Sequence, residues 1–89
     1  KGMMMLEHFK IIAWAECPFC VRAKALLIQE GCEFEYVTLD HSPGLLSFYK
    51  STYDMKTVPI IVYFEEGSTH GKVIGGYTDL VDHFARKIG

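Results

Sequence analysis

Cys17 and Cys20, separated by Pro18 and Phe19, are the pair in this chain best suited to covalent chemistry. Two thiols at this spacing can supply half of a metal site, close a structural disulfide, or run thiol–disulfide exchange. A structural zinc needs about four ligands. Cys32 and His41 could be put forward as the other two, yet no second pair stands at ligand spacing, and no metal is expected. A purely structural bridge would close a tiny loop and constrain the unfolded chain little. Exchange fits the placement better. Proline is favoured at the first helical position, where its missing N–H would have no partner anyway, so Pro18 predicts a helix start. Cys17 then stands just before the helix, where unpaired N–H groups and the positive end of the dipole favour an anion. An ordinary thiol, with a pKa of about 8.5, is only roughly 3% thiolate at pH 7, so lowering it by a unit or more changes its reactivity greatly. Cys20 lies one turn further on and is expected to resolve the mixed disulfide that Cys17 forms. Glu16, directly before Cys17, works against the thiolate. Arg22, Lys24 and Lys56 are the cations that could offset it.

The elements that must hold this pair alternate in period. Residues 9–14 (F-K-I-I-A-W) form a short apolar run suited to a buried strand, so Trp14 is expected in the core. The helix from Pro18 runs about 13 residues to a stop at Gly31. Residues 34–39 (F-E-Y-V-T-L) give a second strand, and strand–helix–strand implies parallel pairing with a right-handed crossover. Ser42 and Pro43 open a second helix, Ser42 as cap, with Leu45, Leu46, Phe48, Tyr49 and Tyr53 as its apolar face. Residues 58–64 (V-P-I-I-V-Y-F) read as a central strand whose first residue is Pro59. A glycine-containing turn leads to a short antiparallel strand, K-V-I, and Gly75 and Gly76 break the chain. In the last helix Tyr77, Leu80, Val81, Phe84 and Ile88 fall on one face, with Asp79 and Asp82 early and Arg86 and Lys87 late. The order β-α-β-α-β-β-α predicts an α/β domain, a four-stranded mixed sheet flanked by three helices.

With 89 residues the chain is expected to be a single domain over 1–89, and 49% apolar residues are ample for a core. A net charge of −2 with no basic run points away from nucleic acid and anionic membranes. No stretch approaches the roughly 20 apolar residues of a membrane span. The start has only a four-residue apolar stretch, too short for a signal peptide, and residues 1–5 are expected to be a flexible start or a cloning remnant. Three cysteines are too few for a disulfide-stapled secreted domain, so a reducing cytoplasm is expected.

Three blocks then carry a family resemblance: C-P-F-C-V-R-A-K, T-V-P and G-G-Y-T-D. Together, at this spacing, they resemble the dithiol glutaredoxins and cover nearly the whole chain. The resemblance implies a thioredoxin-like fold and glutathione as co-substrate. Cys17 would form the mixed disulfide with glutathione, and Phe19 would flank its groove. Thr57 and Val58 precede a Pro59 that the family holds cis, leaving the Val58 backbone to pair with the cysteinyl part of the tripeptide. Gly76, Tyr77, Thr78 and Asp79 would form the far wall, where the helix N-terminus takes the γ-glutamyl carboxylate and Asp79 its ammonium. The chain departs from the family in two ways: many members carry Lys or Arg a few residues before the first Cys, where this stretch reads A-W-A-E with Trp14 and Glu16, and Phe19 replaces the commoner Tyr.

The implied activity is glutathione-dependent reduction of protein disulfides and glutathione mixed disulfides by a monomer, with ribonucleotide reductase as a partner suggested by the resemblance alone. A glutathione-ligated iron–sulfur carrier and a glutathione-independent thioredoxin-like reductant are the rival readings. Cys32 is expected to be buried, and His8, His41, His70 and His83 to lie on the surface.

Overall fold

The computed structural model describes residues 8–65 and 68–88, without the side chains of residues 87 and 88. Its elements are β1 (His8–Ala13), α1 (Pro18–Gln29), β2 (Glu33–Thr38), α2 (Pro43–Thr52), β3 (Ile60–Phe64), β4 (Lys72–Gly75) and α3 (Tyr77–Ile88). The four strands make one sheet in the order β2-β1-β3-β4. β1 and β2 are parallel, with Phe9 opposite Phe34 and Ala13 opposite Thr38, and α1 is their crossover. β3 runs antiparallel to both β1 and β4. The expected element order and mixed sheet are therefore what the chain forms. The expected flexible start and Met3 to Met5 lie outside the described residues.

Side-chain alternation along the central strands divides the core between the two sheet faces. Phe9, Ile11 and Ala13 of β1 and Ile61 of β3 pack with Cys17, Cys20, Ala23 and Leu27 from the α1 segment and Leu80 and Phe84 from α3. Ile12, Ile60 and Val62 point the other way, onto Leu46 of α2 and Leu39. This layering brings the C-terminal end of β1, the start of α1 and the start of α3 to one edge of the molecule.

Several expectations at the level of single residues are corrected. β1 ends at Ala13, so Trp14 leaves the sheet; it is 42% exposed, with Lys50 Nζ 5.6 Å from its ring centre. On α2 only Leu46 is buried, Tyr49 and Tyr53 are half-buried, and Leu45 and Phe48 are exposed. Spacings of three and four residues put Leu46, Tyr49 and Tyr53 on one stripe, and their neighbours in sequence turn away from it. Ser42 makes no side-chain capping bond. On α3, Val81 is exposed for the same reason of phase, while Leu80 and Phe84 reach the core. His83 is not a surface residue: its half-buried ring packs against Phe9, Tyr63 and Phe84. Cys32 is half-buried against the core, with its Sγ 3.9 Å from the Glu30 carbonyl.

Candidate active site

The start of α1 is built around sulfur. Cys17 is the N-cap residue, with extended backbone angles (φ −123°, ψ 110°), and its Sγ accepts the Cys20 N–H at 3.2 Å. Its carbonyl accepts the Val21 N–H at 3.0 Å, which opens the helix. Cys17 thus occupies the place where Ser, Thr or Asp commonly satisfies one of the helix's free donors. Cys17 and Cys20 are joined in a disulfide, with Cα atoms 5.1 Å apart. Cys17 is 8% exposed and Cys20 fully buried, so Cys17 is the sulfur nearer to solvent.

The loop that delivers Cys17 is tied to the end of β2. Asp40 Oδ1 accepts the Ala15 N–H at 2.9 Å, and the Leu39 N–H donates to the Ala13 carbonyl at 3.0 Å. Asp40 was absent from the sequence-based candidates. The signal was available in the parallel pairing, because parallel neighbours end side by side, and an acid just past β2 can then reach the loop after β1. The same carboxylate has a distant effect: burial first, then the Asp40 charge, push the Tyr36 phenol up.

A cleft of about 190 Å³ opens beside the pair, lined by Phe19, Thr57, Val58, Pro59, Gly76, Tyr77 and Thr78. Every one of these was a sequence-predicted site residue. The Val58–Pro59 peptide is cis, and Val58 packs on the cluster that contains both cysteines. Phe19, about half exposed, faces Tyr77 across the cleft at 6.1 Å between ring centres. On its flank the Arg22 guanidinium carbon lies 5.3 Å from the centre of the Phe19 ring. Arg22 therefore sits with Phe19, while Lys24 lies over Tyr36.

Asp79 stands apart from the other predicted residues. It does not line the cleft; its Oδ2 accepts the Gly76 N–H at 2.9 Å, the backward half of a capping box. Gly75, at φ +129°, must be glycine here, since a Cβ would collide with the Asp79 carboxylate. Among the described residues no group of three His, Cys, Asp or Glu side chains converges as a metal site would. No described helix is long and apolar enough to cross a membrane.

Known proteins resemble this chain in sequence and in fold. The glutaredoxin family model matches residues 9–66. The hybrid peroxiredoxin hyPrx5 of Haemophilus influenzae is 35% identical over 89% of this chain, which spans only 30% of that protein's length. A glutaredoxin of Pseudomonas aeruginosa is 38% identical over 76% of this chain and 71% of its own. The crystal structure of glutaredoxin 1 from Francisella tularensis complexed with cacodylate superposes with a TM-score of 0.73 at 24% identity, covering 92% of this chain and 96% of that one, and so shares the thioredoxin fold. The family and the bonded pair together support thiol–disulfide oxidoreductase chemistry in this domain. By its sequence and its fold, this chain belongs to the glutaredoxin family.

Proposed function

We propose that the domain reduces protein disulfides and glutathione mixed disulfides at the expense of glutathione, through Cys17 and Cys20. The observation that carries this reading is the cleft itself: Phe19, the Thr57–Pro59 turn and the Gly76–Thr78 turn converge beside the redox pair. In the reduced protein the Cys17 thiolate attacks the substrate disulfide, a bond forms to one substrate sulfur, and the other leaves as a thiol. For a protein disulfide, Cys20 then attacks the Cys17 sulfur, expels the second substrate thiol and leaves the Cys17–Cys20 bond. For a glutathionylated protein, Cys17 takes the glutathione and Cys20 is not needed. From the Cys17–Cys20 bond two glutathione molecules restore the dithiol and leave as glutathione disulfide; from the Cys17–glutathione bond one further glutathione does so, leaving with the bound one as glutathione disulfide.

The helix start supports the first step, because the Cys20 N–H already points at the Cys17 sulfur and would do the same for a thiolate. Burial supports the division of labour, since Cys20 can meet only a partner already held on Cys17. In the cleft, the Val58 backbone pairs with the cysteinyl unit, and the start of α3 takes the γ-glutamyl carboxylate. Asp79, fixed one turn inside that start, adds the negative charge that meets the ammonium. The protein substrates include a peroxiredoxin, on the likeness to the hybrid protein of Haemophilus, and ribonucleotide reductase. The domain acts as a monomer in a reducing cytoplasm, where glutathione is available.

The test is turnover of a small glutathione mixed disulfide coupled to glutathione reductase and NADPH. Wild type is expected to be active, and Cys20→Ser is expected to keep this turnover while losing reduction of protein disulfides. An inactive wild type would end the reading.

A further inference from the structure

A second groove, of about 350 Å³, opens on the same loop and shares no lining residue with the cleft. Its apolar floor is Leu39 and Leu46, both nearly fully buried. Trp14 and Pro43, both exposed, form its walls. Glu16 and Asp40 supply two exposed carboxylates. Among the described residues the ion pairs are Lys72–Glu65 and Arg86–Asp82, so no cation matches either carboxylate. Asp40 is held in place through Oδ1 by the Ala15 N–H, and Oδ2 makes no described hydrogen bond. Lys50, the cation that packs on a residue of this groove, is engaged with the Trp14 ring.

Two unmatched carboxylates over an apolar floor suit a side chain with an aliphatic stem and a cationic head. Glu16 is covalently next to Cys17, so a side chain docked there belongs to a residue close to the disulfide under attack. We propose that this groove docks the protein half of the substrate: an extended segment with Lys or Arg within a residue or two of its cysteine. The stem lies along Leu39, Leu46 and Trp14, and the head meets Glu16 and Asp40. Glutathione and the protein partner then have separate places around one sulfur. The proposal rests on the reading of Cys17 as the attacking group. It also gives Glu16 a use, since a carboxylate beside a nucleophilic thiol otherwise only opposes the thiolate.

The test uses two short peptides, each carrying glutathione on a single cysteine that is flanked by Arg in one and by Glu in the other. Each rate of deglutathionylation by the full chain is divided by that peptide's rate with dithiothreitol, which removes the effect of the flanking charge on the peptide's own disulfide. The basic peptide is expected to be preferred by roughly two- to fivefold per matched carboxylate, less at high salt. Asp40→Asn, which keeps an acceptor for Ala15, and Glu16→Gln should each reduce the preference, and Glu16→Lys, whose cation offsets the remaining Asp40 carboxylate, should abolish it. A changed Cys17 reactivity would move both peptides together and leave their ratio intact. Equal normalised rates for the two peptides, or a ratio that none of the variants moves, would overturn the docking proposal and leave the glutathione reading standing. Failure of wild type on both peptides and on the small mixed disulfide would overturn both.

Discussion

Two helix starts border the cleft, and they answer the same backbone demand with different chemistry. At α1 the cap is the Cys17 sulfur, which accepts the Cys20 N–H. At α3 the bond is made by the Asp79 carboxylate, which accepts the Gly76 N–H. Every helix leaves its first N–H groups unpaired, so both ends need an acceptor and both favour negative charge. The carboxylate at α3 is permanent, and that end is a fixed wall. The sulfur at α1 can change its bonding, and on the proposed function that end does the work. A helix N-terminus would then be a scaffold at one side of the cleft and an activator at the other, with the capping atom deciding which.

The largest expected effect separates cap from chemistry at α1. Serine is a good N-cap residue, so Cys17→Ser should keep the capping bond and hold stability within about 1 kcal/mol of the reduced wild type. Turnover of the mixed disulfide should nevertheless fall by about three orders of magnitude or more, because a hydroxyl cannot replace the nucleophile. Urea unfolding under reducing conditions, beside the coupled assay, measures both. A variant that kept turnover would place the chemistry elsewhere.

A smaller effect is expected at α3, and on stability. Asp79→Ala removes the acceptor for the Gly76 N–H and should cost about 1 kcal/mol, a fall in Tm of about 4–8 °C. Asp79→Asn should recover most of that loss, since the amide oxygen can still accept. If Ala and Asn cost the same, the charge and not the hydrogen bond is what α3 uses, and the contrast with α1 narrows to electrostatics.

The two grooves around Cys17 show what a sequence can carry. Phe19, Thr57 to Pro59 and Gly76 to Thr78 were legible through the family resemblance of C-P-F-C, T-V-P and G-G-Y-T-D; their local signals alone mark a helix start, a proline before a strand and a glycine pair before a helix. The groove of Trp14, Glu16, Asp40 and Leu46 has no local signal of its own: the expected parallel pairing of β1 and β2 sets Asp40 beside Ala15, but Trp14 joins it only because β1 ends at Ala13. The element order followed from alternating periods, yet the ends of strands did not. β1 stops one residue short of the apolar run, and that residue, Trp14, turns from expected core into the wall of a groove. Apolar letters at helical spacing behaved likewise: Leu45 and Phe48 look identical to core residues in the chain and lie outside the buried stripe of α2. Phase against the sheet decides such cases, and phase is a property of packing. His83 shows the converse, a polar ring absorbed into an aromatic cluster whose members are distant in sequence.

The smallest effect tests what holds the ring that the α1 start turns toward α3 across the cleft. Arg22 lies over one side of the Phe19 ring, and Phe19 in turn meets Tyr77 of α3 at 6.1 Å. An exposed cation–π contact is worth about 0.5 kcal/mol, too little to matter for folding but enough to bias a half-exposed ring toward one orientation. Arg22→Ala should therefore leave Tm nearly unchanged. The contact should appear instead as a coupling of about 0.5 kcal/mol in a double-mutant cycle with Phe19→Leu, because leucine keeps an apolar side chain and loses the ring face. Arg22→Lys should retain part of that coupling, since the ammonium is a cation without the planar group that stacks. A coupling of zero would mean that Arg22 does not hold the Phe19 ring, whose orientation is then set by its own place on α1 and by Tyr77.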